Sequence, residues 1–405
     1  STNVVFIDGV KVRGDVNIPR DAILSTEVIT GGLPAQYGDV TGGVISTTTK
    51  GPAPYYFGSS EVLTSSLFDQ YHYNLGALTL GGPIIRSKSG QPIVGFLLAS
   101  EFQYNKDGSP RSLSTYKVKD DKLAELQANP LTPASSGFGV LNSADFLTSD
   151  DLMTQNYREN VASTAVRMSG NLKFVTSEKT TLTIGGRFNL RRGRSGSRFN
   201  ELMNYDNNAE YFRQDWSTYV RFQQRFGNAT DSSNSLIRNA LYTIQMDFTR
   251  NTGFNRDARH KENFFNYGHI GKFETTYRPL YTPGTDTITD PNDPNFGKVM
   301  DAYTQAVWQS VKVDYTPSDN NPILANYTSN FFNFVETSSI FNNARSLEDI
   351  RAGGGLLNGD QPSSVYGLWG NVGVNQSGYS KFLNDQFRIT ASSTFDIGDH
   401  ALIVG

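Results

Sequence analysis

The sequence predicts an all-β protein: a transmembrane antiparallel β-barrel with a small glycine-rich sheet held inside it. Three observations lead there. Several segments alternate apolar and polar residues over about ten positions, longer than the usual five or six of a soluble strand. Aromatic residues reach 12% while hydrophobic residues are only 37%, with 26 Phe and 20 Tyr, as suits strands that are apolar on one face only. The first fifty residues are short β-branched runs cut by glycines; they are too small to build a core and need a wall around them.

Within that opening block, Val4-Val5-Phe6-Ile7 ends at Asp8-Gly9, a turn signal between β runs. Ile18-Pro19 and Ile23 precede the strand around Glu27-Val28-Ile29. Gly31-Gly32, Tyr37-Gly38 and Gly42-Gly43 allow sharp turns or close backbone approach, and Val44-Ile45 opens a last strand that ends in Thr49-Lys50. This order of parts resembles the C-terminal half of the plug domain of TonB-dependent outer-membrane receptors. The resemblance implies a plug over residues 1–52 and barrel over residues 53–405, an outer-membrane location, ligand capture by extracellular loops, and plug rearrangement driven by TonB from the periplasm. The chain opens on Ser1 and closes on Ile403-Val404-Gly405 inside apparent strands. It reads as an internal fragment, with the signal sequence, the TonB box and the first half of the plug lying outside it; TonB is expected to engage that missing N-terminus.

After Lys50, Gly51-Pro52-Ala53-Pro54 makes a stiff hinge, and the longer alternating segments begin. Strands are expected near Phe57–Phe68, Tyr71–Gly81, Ile93–Asn105, Thr164–Thr176, Lys179–Leu190, Trp216–Phe226, Ser235–Arg250 and Lys381–Asp396, with a ninth from His400. Even-numbered connections (Gly82–Pro92, Ser177-Glu178, Gly227–Asn234, Ile397–Asp399) are short and rich in Gly, Asn, Asp or Ser. The third, fifth and seventh are long, about 106–163, 191–215 and 251–380, and so fall on one side, the extracellular one; the first, Asp69-Gln70, is a short exception. The seventh is too long to be structureless and is expected to fold as a cap. Within it, Lys272–Tyr277 and Gln305–Val313 are poorer strand candidates, with Pro279, Pro283, Pro291 and Pro294 between them.

A water-soluble sandwich would alternate too. The length of the segments and the Arg, Lys and Gln on their polar faces favour a wide watery lumen, and strands in lipid must close their own hydrogen bonds. Leu182, Ile184, Phe188, Tyr242, Ile244, Met246, Phe248, Phe387 and Ile389 are accordingly expected to face lipid. Arg187, Asn189, Gln245, Asp247 and Arg388 are expected to face the lumen or plug.

Leu80-Gly81-Gly82-Pro83-Ile84-Ile85 followed by Val94-Gly95-Phe96-Leu97 resembles the first periplasmic turn of Oar-like receptors, the TonB-dependent group of Bacteroidota with an N-terminal carboxypeptidase-regulatory-like domain. Val365-Tyr366, Leu368-Trp369 and Asp399-His400 are similar to that group as well. The family's polymer-uptake members, which work with a lipoprotein lid, have an alanine-rich Tyr-Gly segment. Here Leu33-Pro34-Ala35-Gln36 precedes Tyr37 instead.

Several function classes are excluded or disfavoured. A net charge of −3 leaves no electrostatic footprint for nucleic acid. There is no cysteine, hence no disulfide or thiolate site, and no run of about 20 apolar residues for a membrane helix. His72, His260, His269 and His400 lack metal-ligand spacing, and no nucleophile elbow or phosphate loop occurs, so neither an enzyme nor a cofactor is expected. Asp286, Asp290 and Asp293 are either a Ca²⁺ site or a solvated acidic loop. Arg191, Arg192, Arg194 and Arg198 form a basic rim that meets lipopolysaccharide phosphates or an anionic substrate, or is simply solvated. Tyr205, Tyr211, Phe212 and Trp216 either stack on sugars or peptides or belong to the outer aromatic girdle, the preferred place for Trp216. The reading that results is a receptor importing an unidentified ligand. Its alternative is a receptor-like barrel serving as a subunit of a secretion, adhesion or surface assembly, with a surface lipoprotein or other outer-membrane subunits as partners.

Overall fold

The computed structural model describes residues 4–12, 16–31, 42–135, 139–226, 237–337, 344–362, 378–398 and 400–405. Gly32, Tyr37, Gly38, the 33–36 segment, Val365, Tyr366, Leu368, Trp369, Asp399 and the sixth connection lie outside them.

Near the N-terminus β1 (Val4–Ile7), β2 (Val10–Lys11), β3 (Ile23–Ile29) and β4 (Val44–Thr49) form one sheet in the order β2-β1-β4-β3. β1 and β4 run parallel, so the chain between them must cross over, while β1–β2 is a tight hairpin closed by Asp8 (φ 49°) and Gly9 (φ 73°). Two successive positive φ values are the geometry that Asp-Gly supplies at low cost. Phe6, Ile7, Val10, Ile18 and Val44 are buried around this sheet.

The rest of the strands are longer. β5 (Phe57–Thr64), β6 (Asn74–Arg86) and β7 (Pro92–Asn105) come first. The third connection then carries β8 (Thr115–Val118), α1 (Asp120–Ala128), β9 (Leu131–Pro133), β10 (Val140–Asn142) and β11 (Leu152–Gln155). β12 (Ser163–Ser177), β13 (Thr180–Ser195), β14 (Ala209–Phe226) and β15 (Ile237–Arg256) follow. The seventh connection holds β16 (Gly271–Thr287), β17 (Val299–Pro317), α2 (Pro322–Thr337) and α3 (Leu347–Ala352), before β18 (Ser380–Ile397) and β19 (His400–Val404). Nine of these form one antiparallel wall, ordered β19-β18-β15-β14-β13-β12-β7-β6-β5. The fold is all-β, and no helix among the described residues is long and apolar enough to cross a membrane.

The two faces of the wall differ as period-two alternation requires. Arg187, Asn189, Gln245, Asp247 and Thr249 are 1–6% exposed, whereas Ile184, Tyr242, Ile244, Met246, Phe387 and Ile389 are 39–65% exposed. Leu182, Phe188 and Phe248 share the outward parity but are half-buried by neighbours, Phe248 by the Trp216 ring 5.3 Å away.

Several expected boundaries are corrected. β6 continues through Pro83 to Arg86 by irregularities in its register with β7, so the second connection shrinks from 82–92 to 87–91. β5 ends at Thr64 and β6 starts at Asn74, which makes the first connection 65–73 rather than two residues. β13 and β14 overrun the expected fifth connection and leave only 196–208 between them, because hydrogen bonding continues past the last apolar residue. β15 likewise runs on to Arg256, leaving 257–379 for the seventh connection.

The three long connections pack on one another. Leu131 of the third shares a buried cluster with Ile270, Val313, Leu324, Tyr327, Phe331, Ile350, Leu356 and Leu357 of the seventh. A second cluster joins Val118, Leu126 and Ala144 of the third to Met203 of the fifth, with Ile323 of the seventh packed against it. Adjacent residues of α2, Ile323 and Leu324, therefore reach different clusters and tie them together. β16 and β17 pair only with each other, as a two-stranded ribbon separate from the wall.

Candidate functional site

The small sheet rests on the polar face of the wall and is held by side chains from five wall strands. Arg221 of β14 donates to the Asp8 carbonyl and, through Nε, to Gln245 Oε1 at 2.8 Å. Arg388 of β18 donates to the Gly9 carbonyl and also to Asp247 Oδ2, at 3.0 Å from Nε and 2.9 Å from Nη2. Asn171 of β12 donates to the Lys50 carbonyl at 3.2 Å and to Thr49 Oγ1 at 3.4 Å. Asn189 of β13 donates to the Asn17 carbonyl at 2.9 Å, and Ser59 of β5 to Asp21. Inside the sheet, the Asp8 carboxylate accepts from Thr49 N (2.8 Å) and Thr49 Oγ1 (2.7 Å), which ties the turn to the end of β4.

Most of these contacts are aimed at backbone carbonyls. Each contributes about 0.5–1.5 kcal/mol, or 1.5–3 where a guanidinium donates.

The expected motif residues scatter over this interface. Asp8, Gly9, Thr49 and Lys50 are at the contacts with the wall. Ile18 and Pro19 are buried beside the sheet, and Glu27 lies on β3 opposite Ser46. Gly31 follows β3, and Gly43 precedes β4 with its carbonyl accepting from Val4 N at 3.0 Å; Gly42 precedes it. Arg221 and Asn171 were not among the expected plug contacts. Their inward parity on β14 and β12 was the available signal.

The four arginines do not form one rim, which corrects the fifth connection as their shared site. Arg191, Arg192 and Arg194 lie on β13, and only Arg198 falls in the connection. Alternation then splits them: Arg192 and Arg194 share the outward parity of Ile184, while Arg191 shares that of Arg187 and lies 5.7 Å from the Tyr211 ring. Of the aromatics, Phe212 stacks on Phe254 (5.4 Å, 15°), Trp216 lies in the outward face, and Tyr205 lies under Lys117 at 5.1 Å. They do not converge. Asp286, Asp290 and Asp293 each accept a backbone N–H just ahead of them, from Thr287, Asn292 and Asn295 at 2.8–2.9 Å. Among the described residues no group of three or more His, Asp or Glu is arranged to hold a metal. His260 bonds Asn321 at 2.9 Å, and His269 bonds Asn320 at 3.3 Å, as parts of the cap's packing.

At the base of the cap, Asp107 is buried and paired with Arg158, which reaches it from backbone N (2.9 Å), Nε (3.1 Å) and Nη2 (2.6 Å). Burial pushes the Asp107 carboxyl up, but the hydrogen bonds from Arg158 and Ser109 outweigh it and hold the group below its ordinary range. The pair joins the two ends of the third connection.

No family model matches the sequence, and no curated protein matches it. Among solved structures, the chain is similar to the ferric-catecholate import receptor Fiu from E. coli K12 in its open form, at 13% identity and a TM-score of 0.34, covering 98% of this chain and 50% of that one. It is also similar to the ferripyoverdine receptor of the Pseudomonas aeruginosa outer membrane (12% identity, TM-score 0.31, 62% of this chain and 33% of that one). A third is the siderophore receptor PirA from Acinetobacter baumannii (14%, TM-score 0.30, 62% and 40%). The chain spans half or less of each of these proteins.

Proposed function

We propose that this chain is the plug-and-wall portion of a TonB-dependent outer-membrane receptor that imports a ligand, the plug being residues 1–52 and the barrel wall residues 53–405. One observation carries the reading. A small sheet closed by Asp8-Gly9 is hydrogen-bonded to the polar face of a nine-stranded antiparallel wall whose other face is apolar and exposed. That inversion suits a wall with lipid outside and a removable stopper inside. On this reading the connections packed into the cap lie extracellularly and select what reaches the plug. TonB acts on the plug from the periplasm, and Arg221 and Arg388 are the contacts that give way.

The test uses the full-length protein. It should fractionate with the outer membrane, be heat-modifiable on gels, and be retained by an immobilised periplasmic domain of TonB. A cysteine pair joining β1 to β14 should abolish receptor-dependent growth or uptake in oxidised cells, with recovery on reduction. Retention in the inner membrane or cytosol would end the reading.

One feature favours the second role, an interaction subunit. The β16–β17 ribbon leaves Tyr277, Tyr281, Tyr303 and Trp308 exposed on a single face, and an isolated two-stranded ribbon is marginal in water. Failure of the TonB retention test, with retention of the ribbon's binding to another surface protein, would favour that role.

A further inference from the structure

The two outer edges of the β16–β17 ribbon differ. On β16, Pro279 and Pro283 face Trp308 and Tyr303 of β17 in the register. A proline has no N–H to give, so these are pairs without ladder hydrogen bonds, and the backbone groups of Trp308 and Tyr303 point away from β16. Val313 shows the same parity. It faces Thr275, an even number of residues from both prolines, and its N–H points outward to the Ala344 carbonyl at 2.8 Å. Prolines guard the outer edge of β16 against a further strand. β17 carries none between Val299 and Thr316.

That open edge has three parts. At its base the Ala344 contact already seats another segment of the chain on it. In the middle, Ala306 and Val311 are extra residues at two irregularities of the register, and bulges of this kind bend a strand and interrupt an edge. Beyond them Val299 to Gln305 pair regularly with Thr287 to Tyr281, and among the described residues no strand pairs with their outer side. Alternation turns the N–H and C=O of Val299, Asp301, Tyr303 and Gln305 outward.

Donors and acceptors repeating every second residue match an extended polypeptide backbone. Side chains on both faces would gain cover from it: Tyr303 and Val299 are 76% and 64% exposed on one face, and Met300 is 53% exposed on the other. Charge adds direction. At the base of the ribbon Lys272 pairs with Glu274 at 2.7 Å and Lys312 with Asp314 at 2.5 Å. Near the tip, Asp286 and Asp301 have no ion pair among the described residues, so basic residues at that end of a guest strand would complement them.

We propose that the edge of β17 from Val299 to Gln305 is a strand-addition site for an extended segment of a partner protein. The guest runs antiparallel to β17, alternates β-branched or apolar residues, and carries lysine or arginine at its C-terminal end, because β17 starts at the tip. The proposal rests on the reading above that the cap lies outside the membrane, and it gives the interaction role a partner of defined chemistry.

Full-length protein in mild detergent is titrated with the fluorescent peptide Thr-Val-Thr-Val-Thr-Val-Thr-Val-Lys-Lys and followed by anisotropy. Binding should saturate, and should weaken when glutamates replace the lysines. Tyr303→Pro gives β17 the guard that Pro283 gives β16. It removes an outward N–H and spares the pairing with β16, so affinity should fall about tenfold. Tyr303→Thr keeps that N–H and should keep most of the affinity, with hydrogen exchange over β16 and β17 unchanged in both variants. Of two peptides N-methylated on every Thr or on every Val, one should lose binding, a result that leaves the protein untouched. Unchanged affinity in Tyr303→Pro, or in both methylated peptides, would overturn the proposal. So would equal losses in the two variants, which would leave a site on the aromatic face alone. Self-association of the wild type that Tyr303→Pro abolishes, without peptide binding, would give the edge to a second copy and also overturn it. An epitope inserted within residues 288–298 separates the proposal from its premise. If antibody does not reach it on intact cells, the outward placement fails; if it does and the peptide is not bound, the strand-addition site alone fails.

Discussion

Arg388 on β18 donates one hydrogen bond to the Gly9 carbonyl at the turn of the small sheet while its other bonds go to Asp247 in the wall. A single guanidinium thus both compensates a buried carboxylate and holds the small sheet. Arg388→Ala should release the turn and leave Asp247 buried without its partner, a loss of about 3–5 kcal/mol. Hydrogen exchange in residues 4–12 of the full-length protein should accelerate well beyond that in β13. Unchanged exchange there would mean Arg221 alone seats the turn.

Accessibility of spin labels to a lipid-soluble quencher should oscillate with period two along Leu182–Arg191, high at even positions and low at odd ones. Ile244→Arg should cost about 2–4 kcal/mol in unfolding from lipid, as an arginine near the apolar midplane does. A flat quenching profile would remove β13 from the membrane wall.

Asp107→Asn should loosen the base of the cap in a pH-dependent way. The folded-state pKa of Asp107 is depressed from its ordinary 3.8. Its contribution is therefore fully present above that value and is lost as pH falls through the lower, folded pKa. Wild type and variant should differ in exchange at residues 105–111 and 156–160 at neutral pH, and converge progressively below pH 3.8. A difference that widened on acidification would contradict the assigned sign.

Phe331 is fully buried in the cap, so Phe331→Ala should destabilise it by about 3–5 kcal/mol. Because Leu131 shares that cluster, protection from proteolysis should fall in residues 131–142 as well as in α2. If cleavage rises only within the seventh connection, the connections do not fold as one body.

How far the sequence was legible depended on whether one local pattern carried each element. The wall was readable because Leu182–Leu190 and Tyr242–Thr249 keep strict alternation, and burial follows it residue by residue. The ends of β13 and β14 were not, since Arg191–Ser195 has no apolar residue to mark a strand that continues by backbone pairing alone. β16 was discounted for Pro279 and Pro283. Both share one parity, and β16 pairs on one side only, so their missing N–H groups cost nothing on its free edge. α2 was missed because Asn326, Asn330 and Asn333 break up the run in sequence, although they lie off the apolar stripe that Leu324, Tyr327, Thr328 and Phe331 make at helical spacing. The turn of the small sheet was visible in Asp8-Gly9, but Arg221, which holds it, lies 213 residues away, and Asn171, which holds the Lys50 carbonyl, lies 121 away from that residue, joined by topology alone.

The merging of three outward connections into one pair of clusters constrains how such a surface can diversify. On the proposed reading these connections face the cell's surroundings, where loops ordinarily vary one by one, each change independent of the next. Here a change at Leu131 or Met203 is felt by packing partners in another connection, so the connections are coupled in the substitutions they accept at these buried positions. The tip of the ribbon, residues 288–298, belongs to neither cluster. Natural variants should show differences there, on a segment that can change without retuning either cluster.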